Sequence, residues 1–309
     1  MTANPPMRVS GCVFLLVPLL LIASALPAAA IERLHGAVTL GYDRLTMRVP
    51  VLPDRQLRGP SLNLRGALRQ YGFRLDAEAR LRQLRTAHVR YDLRWLDLAV
   101  GHAIAERLNV GVYHIRFPMR LRNDLSASHR WRATGISLDW RGTQVGLRSV
   151  AGRLDGNGGG SARELGLAAE FAVTERSRLG AMRNEVRGRS GAFRYATGGA
   201  WLAHEFDFGL TVWAALLDLR LRPGQERMRT ASLGLAQRID ISGRRMILGV
   251  EASRTTPRMA PQRMDVIRVG MTLPLGTGGT RLPLNSTIAA MQRRPNFLFG
   301  FFDTVAGGI

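Results

Sequence analysis

Ser128 and His129 stand side by side in "SASHRW", the first pair in this chain that could do chemistry. A hydrolytic serine needs a histidine within hydrogen-bond reach and a third group to orient it. The spacing supplies no such set. His88, His102, His114 and His204 are scattered, and no two of them combine strand or helix spacing with a nearby carboxylate. Neither a catalytic residue, nor a metal site, nor a cofactor is therefore expected. "GNGGG" at 156–160 lacks the Lys and Ser or Thr that follow a phosphate-binding loop, and reads as a flexible connection.

The arginines carry the chemical weight. The chain of 309 residues has no lysine, so all 44 of its basic residues are arginine, against 23 acids, for a net charge of +21. In "FRLDAEARLRQL" at 73–84, Arg74, Asp76, Glu78, Arg80 and Arg82 share one parity, and Phe73, Leu75, Ala77, Ala79 and Leu81 share the other. Arg90 and Arg94 alternate in the same way with Val89, Tyr91 and Leu93. Such residues can neutralise one another in a cross-strand ladder, or their surplus can give a pore a preference for anions.

What positions them depends on whether 73–84 is helix or strand, since a helical stripe through Phe73, Ala77, Leu81 and Leu84 also survives. The rest of the chain decides for strand. Period-two alternation returns at 62–69, 87–94, 134–140, 165–173, 206–212, 246–253 and 267–273. Some separators are short ("RQYG", "WRGT", "TERS", "ISGRR") and others longer (50–60, 103–129, 153–162, 254–263). Alternating segments of about ten residues, joined in this rhythm, are the signature of a transmembrane antiparallel β-barrel. A soluble sandwich also alternates, but on shorter strands. Tyr71, Phe73, Trp95, Trp131, Trp140, Phe171 and Phe206 gather at segment ends, as an interfacial belt requires. The expected fold is all-β, a barrel of 12 to 16 strands, the upper figure applying if 96–102, 109–117, 191–203 and 216–222 are all strands.

Arg8, the apolar run at 13–30 and its closing Ala28-Ala29-Ala30 read as a signal peptide, cleaved before Ile31. The one cysteine, Cys12, lies within it, leaving an exported chain that relies on no disulfide. The expected organisation is a signal peptide at 1–30, a bacterial outer-membrane barrel at 31–275, and a tail at 276–309 that plugs the barrel, lies on its surface or closes it. Export and the scatter of the arginines argue against a nucleic-acid partner.

"HGAVTLGYDRL" at 35–45, "AHVRYDLRWLDLAVGHA" at 87–103, "RWRATGISLDWRGTQVGLRSVAG" at 130–152 and "FAVTERSRLGAM" at 171–182 resemble the strands and hairpins of general Gram-negative porins. The resemblance implies that 103–129 folds inward as the constriction loop, with Glu106 and Asp124 as its acids. It implies that Arg74, Arg80, Arg82, Arg90 and Arg94, with Asp76 and Glu78, line the pore wall opposite. It further implies passive diffusion of small hydrophilic, preferentially anionic solutes, with outer-membrane lipid and lipopolysaccharide as partners and a homotrimer as a possible assembly. The alternative is a closed barrel that holds lipopolysaccharide or a partner protein and transports nothing. No enzymatic activity is expected.

Overall fold

Tyr71 and Gly72 form a two-residue hairpin with φ of 49° and 76°. A two-residue connection needs positive φ at both positions to match the twist of its strands, and Gly72 adopts that conformation at no steric cost. Other short turns, such as Glu106-Arg107, and longer connections join the successive strands. The computed structural model describes residues 33–50, 54–86, 89–122, 127–156, 160–188, 194–222, 226–241, 243–258, 262–276, 280–293 and 295. The expected signal peptide at 1–30 and Asp124 lie outside these.

Fourteen strands follow one another: β1 Arg33–Arg48, β2 Arg55–Gln70, β3 Phe73–Arg85, β4 Arg90–Ala105, β5 Leu108–Arg122, β6 Ala127–Arg141, β7 Val145–Gly156, β8 Ser161–Ala172, β9 Ser177–Gly188, β10 Arg194–Glu205, β11 Leu210–Arg222, β12 Glu226–Ile241, β13 Arg244–Pro257 and β14 Arg263–Gly276. Each pairs antiparallel with its sequence neighbours, and β1 pairs with β14 to close the barrel. Stretch 73–84 is a strand, and the number lies inside the expected 12 to 16. Segment 109–117 and the described part of 191–203, from 194 on, fall in separate strands, β5 and β10, whereas 96–102 and 216–222 continue β4 and β11. We call the end bearing the turns 71–72 and 106–107 the turn end, and the opposite end, with connections such as 49–54 and 258–262, the loop end.

The region 103–129 is not an inward loop. It comprises the end of β4, the turn Glu106-Arg107, the strand β5 and the start of β6. Glu106 is exposed at the turn end, and β5 pairs in continuous register with β6 from Leu108↔Trp140 to Leu121↔Ala127. Its Val110, Val112, Tyr113, Ile115 and Phe117 are strand formers that seat two faces at once.

The backbone keeps its alternation throughout, but the polarity on each face inverts halfway up the wall. In the turn-end half the outer face is apolar: Leu40, Val100, Val112, Ile136, Leu167, Leu233 and Val269 are all exposed there. Tyr71, Phe73, Phe171, Phe206 and Phe208 are exposed along the turn-end rim. In the loop-end half the outer face turns to arginine, and the inner face becomes apolar. There Leu93, Trp95, Tyr113, Ile115, Phe117, Val150 and Leu154 point inward and cluster, and Leu45, Leu57, Leu84, Met264 and Val266 form a second cluster. Trp95 and Trp131 thus face the lumen and take no part in an interfacial belt.

This inversion corrects the placement of Arg90 and Arg94. Opposed residues in an antiparallel pair share a face. Arg80 opposes Trp95 and Arg82 opposes Leu93, so Trp95 and Leu93 point inward with them, while Arg94 opposes Leu81 on the outer face. Arg90, Asp92 and Arg94 are therefore continuous with the outward Leu96, Leu98 and Val100, above the apolar band.

The outer band gives a directional test. Val269→Arg places a charge in the middle of it and should cost about 2 to 4 kcal/mol of barrel stability. Arg254→Leu, on the same face above the band, should cost less than about 1 kcal/mol. Urea titration of the protein refolded into phospholipid vesicles, followed by heat-modifiable gel mobility, measures both. Equal tolerance would show that the outer face meets no hydrocarbon.

Candidate functional site

Arg74, Asp76, Glu78, Arg80 and Arg82 all point inward from β3, as the sequence implied. They are paired with acids. Arg74 Nε lies 2.8 Å from Asp76 and Arg80 Nε 2.7 Å from Glu78. Arg82 Nε donates to Asp43 of β1 at 2.8 Å. On β6 and β7, Arg148 Nε donates to Asp139 at 2.7 Å. These are ladder contacts within and across strands, and they cancel most of the charge at mid-height.

Inside the barrel, in contact with these residues, lies the chain after β14. A short helix, α1 Thr287–Met291, is buried at every residue. Ser286 caps it by accepting a hydrogen bond from the Ala289 N–H at 3.2 Å, satisfying one of the donors that a helix start leaves open. Five residues cannot hold a helix in water, so its stability comes from the wall around it. Ile288 and Met291 pack with Trp201, Trp213, Leu217 and Ile247 from the inner face.

Glu251 of β13 is the centre of the attachment, with 2% of its surface exposed. It accepts from Trp213 Nε1 at 2.9 Å, Arg268 Nη1 at 2.5 Å, the Thr287 N–H at 2.8 Å and Thr287 Oγ1 at 2.7 Å. Four donors fill the acceptor sites of an ionised carboxylate, which makes its burial sustainable. A second attachment runs through Arg293, itself 3% exposed. It donates to the Leu284 carbonyl at 2.7 Å and stands 2.7 Å from Glu78. Further along, Arg148 Nη1 donates to the Gln292 carbonyl at 2.5 Å and Asn184 Nδ2 to the Pro295 carbonyl at 2.8 Å. Residues 280–295 are therefore held by β1, β3, β7, β9, β13 and β14, all round the lumen.

The wall is recessed where the segment touches it. A Cβ at Gly249 would meet Pro283 Cγ at 2.4 Å, and one at Gly41 would meet the Asn285 side chain at 2.5 Å. Both glycines lie mid-strand, where glycine is unfavourable unless something approaches closely. Here the internal segment does.

Of the remaining sequence candidates, Ser128 and His129 are neighbours on β6 and so face opposite sides of the wall. Sequence reasoning missed Ser177 and His204, whose Oγ and Nδ1 are 2.8 Å apart on paired strands. It also missed Glu251, Arg268, Thr287 and Arg293. Each stands alone in its local sequence: Glu251 and Arg268 meet by the register of β13 and β14, and Thr287 and Arg293 join Glu251 and Glu78 through the segment inside the barrel. Nearer the turn end, Arg141 stands among Arg69, Arg74 and Arg148, of which Arg74 pairs with Asp76 and Arg148 with Asp139, giving the lumen an arginine-rich mouth.

No protein-family model matches the chain, and no curated protein matches its sequence. Among solved structures, it resembles a FadL homologue of Pseudomonas aeruginosa at 10% identity and a TM-score of 0.51, over 78% of this chain and 90% of that one. It resembles the toluene transporter TbuX of Ralstonia pickettii at 9% identity and a TM-score of 0.53, over 80% of this chain and 90% of that one. It resembles an anion-selective porin from Comamonas acidovorans at 8% identity and a TM-score of 0.52, over 78% of this chain and 99% of that one. At such identities these likenesses show the fold alone, a closed antiparallel β-barrel.

Two substitutions test the attachment. Glu251→Ala strips the acceptor from Arg268, Trp213 and Thr287, and breaking a buried pair on one side costs about 3 to 5 kcal/mol. Gly249→Val adds a good strand former but collides with Pro283. Both should make the chain cleavable by trypsin after Arg281 and Arg293 while the barrel keeps its heat-modifiable mobility. Continued protection in both variants would show that the segment does not depend on these contacts.

Proposed function

We propose that the protein is an outer-membrane channel for small solutes, exported with residues 1–30 removed, whose lumen is held closed at mid-height by residues 280–295. The solutes it suits best are small organic anions with an apolar body. The observation that carries this reading is the vertical order of the lumen. The loop-end half is lined by apolar and aromatic side chains, mid-height by paired arginines and carboxylates, and the turn-end mouth by an excess of arginine.

A solute entering from the loop end meets aliphatic and aromatic surface, including the edge-on pair Trp95 and Phe117 with ring centroids 5.7 Å apart. Such surface favours an apolar body. The attraction for an anionic head lies below it. Because Arg80 and Arg82 are matched by Glu78 and Asp43, the field at mid-height is small, and nearer the turn end Arg141 stands among Arg69, Arg74 and Arg148, with Asp76 and Asp139 as the neighbouring acids. A low-dielectric wall focuses such a field on the passing solute. The resemblance to a toluene transporter and to an anion-selective porin supports the two halves of this solute description, one each.

Passage requires residues 280–295 to move. Swelling of vesicles containing the mature chain in an iso-osmotic test solute reads this out. A chain ending at Gly276 should admit benzoate several-fold faster than the full chain, and benzoate faster than benzylamine of the same size. High salt should narrow the second difference, since the screening length falls to about 3 Å at 1 M. Equal rates for the full and shortened chains would contradict closure by the segment. Equal rates for benzoate and benzylamine would remove the anion preference and leave the channel.

A further inference from the structure

The arginine surplus is on the outside of the barrel, and it is arranged in rows. On the loop-end outer face Arg44, Arg58, Arg85 and Arg90 oppose one another in sequence across β1, β2, β3 and β4. A second row, Arg153, Arg163, Arg187, Arg194 and Arg222, runs across β7 to β11. Like charges placed directly opposite destabilise a sheet. The acids on this face are fewer than the arginines: Arg90 pairs with Asp92 at 3.0 Å and Arg153 with Asp155 at 2.7 Å, Arg187 and Arg194 share Glu185 at 2.5 Å, and Asp265 is already contacted by Arg48, Arg254 and Arg263 outside the rows. Nine arginines in two directly abutted rows need an external anion layer.

The level of the rows identifies that layer. They begin one or two residues above the outward apolar band, where Tyr42 gives way to Arg44, Leu96 to Arg94 and Leu165 to Arg163. That is the height at which hydrocarbon ends and headgroup phosphate begins, on the side of the longer connections, which in barrels of this kind face outward. Between β10 and β13 the same face carries a depression of about 980 Å³. Arg227, Arg229 and Arg254 stand at its upper edge, and Ala200, Leu216 and Ala231 form its apolar floor. Asp218 accepts from Arg220 and Arg227 at 3.0 and 2.5 Å and leaves Arg229 at 3.7 Å, so positive charge remains at the rim. Small residues below and arginine above fit an acyl chain with a phosphate over it. Arginine suits this role because its planar fork takes two phosphate oxygens at once.

We infer that the two arginine rows and the depression between β10 and β13 bind the phosphate groups of the lipopolysaccharide anchor in the outer leaflet, with an acyl chain of the same molecule against Ala200, Leu216 and Ala231. The inference rests on the outer-membrane reading above and does not require that the lumen conduct.

The test uses the folded mature chain in mild detergent, titrated with bis-phosphorylated lipid A and, separately, with the same lipid after removal of both phosphates. Native mass spectrometry counts bound lipid. The phosphorylated lipid should bind about tenfold or more tightly than the dephosphorylated one, and raising salt should weaken it steeply. The triple variant Arg163→Gln, Arg187→Gln, Arg194→Gln should lose that preference while still binding the dephosphorylated lipid. Leu216→Trp, which fills the depression, should weaken both lipids together. Inorganic phosphate should not compete at concentrations comparable to the lipid. Equal affinity for the two lipids in the unaltered chain, or an unchanged preference in the triple variant, overturns the inference. If the chain folds into vesicles but shows either result, the lipid site fails alone; if it does not insert into vesicles at all, the outer-membrane reading fails with it.

Discussion

A carboxylate taken out of water must be matched donor for donor, and the closed lumen of this barrel is organised around one that is. Glu251 receives a guanidinium, an indole N–H, a backbone N–H and a hydroxyl, from two other strands and the segment inside them. Remove the segment and two of those four donors leave with it. The wall and its contents are therefore energetically one object. The same logic explains Arg293, which joins Glu78 of β3 to the Leu284 carbonyl, and the glycines that make room for Pro283 and Asn285. A barrel wide enough to leave open space at fourteen strands is filled by its own chain.

Much of the wall was legible in the sequence because alternation is a property of the backbone. Period two in 73–84 survived into β3, and the inward side of Arg74, Asp76, Glu78, Arg80 and Arg82 followed. Alternation does not say which face is which, however, and that is where Arg90 and Arg94 went astray. In the turn-end half charge points inward and apolar side chains face out; in the loop-end half arginine stands on the outer face while Trp95 and Phe117 turn in. A strand crossing that boundary changes its pattern without changing its backbone. Reading Arg90 by the rule that holds for Arg80 puts it on the wrong side of the wall.

The internal attachment was illegible for a different reason. Ser286, Thr287 and Arg293 occur in an ordinary polar stretch, and Glu251 is one acid on a strand of small residues. The relation of Thr287 to Glu251 spans 36 residues of sequence and exists only once the segment has entered the barrel. The region 103–129 erred the opposite way: its length and polar ends suggested a loop folded into the pore, yet its β-branched and aromatic centre is ordinary wall. Narrowing of the lumen thus comes from the segment after β14, and two rows of the arginines that the composition announced stand on the outer face, directly opposed to one another.

The account stands or falls on whether residues 280–295 are sequestered within an intact barrel. Ala290 is buried against the inner wall, so a cysteine placed there, in a chain where Cys12 is replaced by serine, reports directly on that state. With the mature protein in vesicles, a membrane-impermeant maleimide should leave Ala290→Cys unmodified over the time in which a cysteine at the exposed turn residue Tyr71 reacts to completion, and Glu251→Ala should bring the two rates together. Modification of Ala290→Cys as fast as Tyr71→Cys, with Glu251 in place and the barrel folded, would contradict it.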